Sequence, residues 1–102
     1  MSRWILSEHA ADDLIDIYVY TYSEFGVSQA ERYTEEIEEK LSILAESPPL
    51  GRQLSEIPGS YRKFVSGRHV IIYRTQGEDI FIVRVLHGRQ DIPRIVSGEE
   101  SE

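Results

Sequence analysis

Between Glu8 and Glu46 the apolar residues return at helical spacing, and a single glycine, Gly26, interrupts them before Pro48-Pro49 ends the pattern. Over Glu8 to Phe25 the apolar positions are Ala11, Leu14, Ile15, Tyr18, Tyr22 and Phe25, with Asp12, Asp13 and Asp16 between them. This is the signature of one amphipathic helix with acids in its first half, where the helix dipole favours them. Ser7 is placed to cap its start, and Gly26 to end it. Ser28-Gln29-Ala30-Glu31 has the form of a capping box, the serine serving the third amide and the glutamate reaching back. A second helix then presents Ala30, Tyr33, Ile37, Leu41 and Leu44 on its inner face to about Glu46. Pro48 stops it, because proline drives the preceding residue out of helical geometry. With so short a link, the two helices are expected to fold back as an antiparallel hairpin.

The second half of the chain changes period. Trp4-Ile5-Leu6 reads as a short strand ahead of the first helix, and Pro48 to Ser60 as a loop. Three runs rich in β-branched and aromatic residues follow: Tyr61 to Val65, Arg68 to Thr75, and Ile80 to His87. Turn signals at Ser66-Gly67 and Gln76 to Asp79 divide them, which predicts an antiparallel meander covering the helical hairpin on one face. The last run is apolar on both parities except at Arg84, as befits a central strand. The expected class is α+β, ordered β-α-α-β-β-β, with the helical hairpin on a small antiparallel sheet. Residues 1–96 form one domain in this reading, and 97–102 an acidic tail that frays.

Composition narrows the function. A chain of 102 residues has room for one domain. Its net charge of −7 argues against holding DNA or RNA by overall charge, and no sequence-specific nucleic-acid binding is expected. With no cysteine, disulfides and thiolate metal sites are excluded. His9, His69 and His87 lack metal-ligand spacing, so neither metal nor cofactor is expected. There is no run of about 18 apolar residues and no signal-peptide core at the N-terminus, so a soluble, cytoplasmic protein without membrane contact is expected. The chain holds no GxSxG, phosphate loop or HExxH, and no catalytic template assigns an active residue.

Charge is divided unevenly. Up to Ser47 there are eleven acidic and three basic side chains; from Pro48 to Ile95 there are four acidic and eight basic. The acids Asp12, Asp13 and Asp16 read as a solvated face near a helix N-terminus. The bases of the sheet region are more informative. Arg62 and Lys63 lie on the first meander strand, and Arg68 and Arg74 bracket the second on one face, with Val70 and Ile72 between them. Arg84 interrupts the third. A two- or four-residue turn after Thr75 sets Arg84 with His69 and Tyr73, and a three-residue bulged turn sets it with Arg68 and Arg74. An arginine in an apolar strand needs an anion. A carboxylate or phosphate from outside meets that need, and so does an internal pair with Glu78, Asp79 or a helix acid.

Six short motifs carry a resemblance. They are Leu6-Ser7, Phe25 to Tyr33 (FGVSQAERY), Pro48 to Gly51 (PPLG), Gly59 to Lys63 (GSYRK), Ser66 to Arg74 (SGRHVIIYR), and Val83 to Gly88 (VRVLHG) with Arg89 and Asp91 behind it. In this order, over about residues 3 to 92, the chain resembles the RelE/ParE superfamily of bacterial toxins, and within it the ParE branch. The resemblance implies a non-enzymatic poison that stabilises the cleaved DNA–gyrase complex. It also implies a ParD-like antitoxin that wraps a partly disordered segment across the toxin in a hetero-oligomer. An acidic segment of that kind suits Arg62, Lys63, Arg68, Arg74 and Arg84. Contact with DNA gyrase is assigned to His87, Arg89 and Arg94. The competing reading is an mRNA endoribonuclease like the RelE branch, with Arg68, His69, Arg84 and His87 as the catalytic set. Only one lysine in the sheet region, the acidic total charge and the lack of a tyrosine near the C-terminus depart from that pattern. A third reading is an inactive homologue that only binds antitoxin.

Overall fold

A computed structural model describes residues 3–100. The chain runs β1 (Trp4–Leu6), α1 (Glu8–Phe25), α2 (Val27–Glu46), a 3-10 turn at Pro48–Leu50, β2 (Arg52–Gln53), β3 (Arg62–Ser66), β4 (His69–Gln76), β5 (Asp79–His87) and α3 (Ile92–Glu100). The strands form one five-stranded sheet in the order β1-β5-β4-β3-β2. The meander is antiparallel as its turns require, but β1 lies parallel to β5, with Trp4 opposite Ile80 and Leu6 opposite Ile82, so the sheet is mixed. The apolar character of β5 on both parities follows from cover on both faces of the sheet: Ile80, Ile82 and Val85 lie in one core and Val83 and Leu86 in the other.

Ser7 caps α1 as its chemistry predicts. Its hydroxyl accepts from the Ala10 amide at 2.9 Å and donates to the Val83 carbonyl at 2.7 Å, which joins helix start to sheet. The capping box at Ser28 does not form, because α2 begins at Val27 and Ser28 lies inside its first turn. Gly26, at φ +92°, is the whole connection. It donates its N–H to the Tyr22 carbonyl and accepts from the Ala30 amide.

The buried face of α1 is not the one that periodicity selects. Ala10, Ile17 and Thr21 are buried, whereas Ile15, Tyr22 and Phe25 are exposed, Phe25 by 66 %. The Thr21 hydroxyl is satisfied by the Ile17 carbonyl at 2.7 Å. On α2, Ala30, Ile37, Leu41 and Leu44 are buried as their spacing predicts. The hairpin covers one sheet face through Ile71, Tyr73, Ile80, Ile82 and Val85.

The other face is also covered. Val70, Ile72, Val83 and Leu86 pack against Leu54, Ile57 and Tyr61 from the loop, and against Ile92 and Val96 of α3. α3 extends to Glu100, over part of the tail expected at 97–102, while residues 101–102 lie outside the described residues. Two core layers therefore flank the sheet. Among the described residues no helix is long and apolar enough to cross a membrane.

The PPLG stretch owes its sequence to Tyr73. The buried Tyr73 hydroxyl donates to the Pro48 carbonyl at 2.6 Å and accepts from the Gly51 amide at 2.8 Å. Any Cβ at Gly51 would collide with that phenol ring.

Candidate functional site

A cleft of about 620 Å³ opens between α1, the first turns of α2, the β3–β4 turn and the end of β5. Three sets of side chains build it.

The first is an ion pair. β1 ends at Leu6, so Val85 on β5 lies beyond the three residues that β1 covers. Asp13 of α1 takes that place: its Oδ2 accepts from the Val85 amide at 2.9 Å. The same carboxylate holds Arg84 in a fork, Nε to Oδ2 and Nη2 to Oδ1, both at 2.8 Å. With side-chain exposures of 17 % for Arg84 and 12 % for Asp13, the pair is shielded from water. The turn after β4 has two residues, Gly77 and Glu78, and Val83 is an extra residue on β5 opposite the step from Ile72 to Tyr73. The bulge sets Arg84 opposite Ile72, and its side chain, held by Asp13, lines the cleft with His69, apart from Arg74. Of the two anions left open for Arg84, the helix acid is the one present, and Asp13 is corrected from solvated face to structural partner.

The second set is a tyrosine with two histidines. The Tyr33 hydroxyl stands 2.6 Å from His69 Nδ1, accepts from the Arg68 amide at 3.1 Å and lies 3.2 Å from the Ser66 carbonyl. His69 faces His87 edge-on, with ring centroids 5.6 Å apart. His87 Nδ1 accepts from the Arg89 amide at 3.2 Å, so neutral His87 carries its proton on Nε2. Burial pushes the His69 pKa below its ordinary value, and repulsion from His87 pushes the same way against the attraction of Asp13. Burial pushes the Tyr33 hydroxyl above its ordinary value, opposed by the bond from the Arg68 amide.

The third set is the β3–β4 turn. Gly67, at φ +61°, lies flat on the Tyr33 ring, and a Cβ there would stand 2.7 Å from the ring and its hydroxyl. Arg68, next in the turn, is exposed.

The sheet cations do not assemble into one face. Arg62 shares a face with Tyr73 and donates to the Gly51 carbonyl at 2.7 Å. Lys63, half-buried, lies opposite Ile72 on the other face, and Arg74 stacks over the Phe81 ring at 4.8 Å. Arg68 leaves Arg74 because it sits in the turn, outside the pleat that would align the two. The four residues of the ribonuclease reading, Arg68, His69, Arg84 and His87, do line one cleft. Arg89 and Arg94 are exposed, in the turn after β5 and in α3. Among the described residues no three potential ligands gather for a metal ion. Tyr33 and Asp13 belong to the site without having been singled out for it. Tyr33 reads as a core position, and nothing in a lone helical aspartate points to a strand edge distant in sequence.

Residues 4–92 match the family described as ParE toxin of type II toxin-antitoxin system, parDE. The chain is 43 % identical over 94 residues to a toxin of Mycobacterium tuberculosis, ParE1, covering 91 % of this chain and 96 % of that one. It is 38 % identical over 87 residues to the ParE1 toxin of Caulobacter vibrioides, covering 85 % and 90 %. Its fold is similar to a chain of the chromosomal ParDE toxin–antitoxin system of P. aeruginosa, with a TM-score of 0.70, 26 % identity, and coverage of 84 % and 92 %.

Proposed function

The chain belongs to the ParE toxin family of type II toxin–antitoxin systems, and from that premise we propose that it inhibits DNA gyrase and is neutralised by a ParD-like antitoxin in the cytoplasm. The observation that carries this reading is the match across residues 4–92, which takes in the hairpin, the sheet and the cleft together. Inhibition consists of stabilising the cleaved gyrase–DNA complex, a task that needs a binding surface and no bond-making centre. Arg89 and Arg94 stand exposed where β5 gives way to α3, and with His87 they form the surface assigned to gyrase. Arg68 and Lys63 remain the cations best placed for the antitoxin, since Arg62 and Arg84 already serve the fold. Purified gyrase incubated with the toxin should accumulate cleaved DNA and lose supercoiling activity, and equimolar antitoxin should reverse both. Intact supercoiling at saturating toxin would refute the assignment.

The gathering of Arg68, His69, Arg84 and His87 gives the endoribonuclease reading one observation of its own. Against it, Arg84 is spent on Asp13, and Asp16 also lines the cleft, where a phosphate backbone would meet like charge. mRNA cleavage abolished by His69→Ala or His87→Ala, with gyrase untouched, would favour it.

A further inference from the structure

Three apolar residues that α1 leaves unburied fall on one line. Ile15, Val19 and Tyr22 are each more than half exposed. Steps of four and three residues make them neighbours along a single face of the helix. Tyr18 stacks on Tyr22, with ring centroids 6.4 Å apart, and widens that face. Asp16, Ile17 and Tyr20 line the cleft from other faces of α1, so the stripe is a separate surface. A run of exposed bulky apolar side chains of this kind marks a contact surface.

The hairpin itself selects what covers it. The stripe has its bulky ends at Ile15 and Tyr22 and its midpoint between Tyr18 and Val19, so it nearly matches its own reverse. Two stripes packed antiparallel set Ile15 of one copy against Tyr22 of the other, about a two-fold axis beside Val19. The charges match in the same arrangement. Asp12 is exposed, and it and Phe25 lie at equal distances from the midpoint, roughly 10 Å along the helix. Asp12 of one copy therefore comes level with Phe25 of the other, beside the start of its α2 at Val27. That helix start has no side-chain cap and no acid in its first turn. A carboxylate arriving there meets unpaired amides and the positive end of the helix dipole. Parallel packing would instead set Asp12 against Asp12 and Asp16 against Asp16.

We propose that the outer face of α1 is a self-association surface, on which a second copy of this chain packs its own α1 antiparallel with Val19 at the two-fold axis. The interface is one helix face wide, at the low end of specific contacts, so a reversible dimer with a dissociation constant of tens of micromolar is expected.

Sedimentation velocity of the free protein, from micromolar to millimolar concentration, should show monomer giving way to dimer. Val19→Glu, a change at an exposed position, should stay monomeric throughout while its melting temperature and circular dichroism stay those of the wild type. Asp12→Asn should weaken the dimer about threefold. Because the chain has no cysteine, single substitutions report the geometry. At concentrations where the protein is dimeric, Val19→Cys should be cross-linked by diamide, since equivalent positions meet at the axis. Asp12→Cys, whose two copies lie roughly 20 Å apart, should not. A wild-type protein that is monomeric at millimolar concentration would overturn the proposal. So would a dimer that persists in Val19→Glu, or Asp12→Cys cross-linking as readily as Val19→Cys. A monomeric wild type whose Val19→Glu variant loses gyrase or antitoxin would assign the stripe to that partner and overturn self-association.

Discussion

Removing the Asp13 carboxylate tests how the helical hairpin is fastened to the sheet. In Asp13→Ala the Arg84 guanidinium, 17 % exposed in the native pair, loses both charge-assisted bonds, and the Val85 amide loses its acceptor. Breaking a shielded pair from one side costs about 3–5 kcal/mol, because the remaining charge loses its shielded counter-ion. Against a total stability of about 5–15 kcal/mol, that is a large fraction. For a domain of this size each kcal/mol shifts the melting temperature by roughly 4–8 °C, so the variant should melt about 12 °C lower or more. Urea unfolding followed by far-UV circular dichroism, with calorimetry alongside, measures both quantities. Arg84→Met in the same background should restore much of the loss by removing the stranded charge, leaving about 1–3 kcal/mol for the unpaired amide. A single variant that loses less than about 1 kcal/mol, the worth of a surface pair, would refute the reasoning. A double variant no more stable than the single one would do the same.

Tyr73→Phe strands the Gly51 amide and the Pro48 carbonyl inside the protein and should cost about 2–3 kcal/mol in urea titration, with little change in denaturant sensitivity. Gly67→Ala should destabilise more than Gly26→Ala: both glycines have positive φ, but only at Gly67 would the new methyl meet a ring. Equal losses would show that backbone strain alone governs the turn. His69 should titrate below its ordinary value by NMR, and His87→Gln should bring it partway back. Since the neutral ring is favoured in the folded state, the His69 contribution is fully present above the unfolded value of about 6.5 and is lost as pH falls below it. Stability that rises on acidification through that range in wild type but not in His69→Gln would contradict this.

The hairpin and meander are legible in the sequence because each is governed by a local rule: a glycine between two periodic stretches, then paired turn signals. The face of α1 is not. Counting large apolar residues favours Ile15, Tyr22 and Phe25, yet the buried positions are Ala10, Ile17 and Thr21, and those large ones face outward. α3 had a readable signature: Ile92, Ile95 and Val96 at helical spacing, Pro93 near the start, and Asp91 ahead. Asp91 does receive the Arg94 amide on its Oδ1 at 3.4 Å. The polar residues around it hid the pattern. The cleft was half legible. Arg68, His69, Arg84 and His87 are readable in the sequence, but His87 comes opposite His69 only through a bulge at Val83, and bulges leave no mark in a single sequence.

The stopper that Ser7 and Asp13 place along β5 also fixes the direction in which the ladder can lengthen. Past Leu6, the Ile82 carbonyl takes the Ser7 amide, the Val83 carbonyl takes its hydroxyl, and the Val85 amide is held by a carboxylate. At the opposite margin β2 shields only Arg62 and Lys63, and among the described residues no strand lies outside Phe64 to Ser66. An extended polypeptide seeking a berth on this sheet finds the stretch of β5 past Leu6 closed by side chains and the stretch of β3 past Lys63 uncovered by any strand.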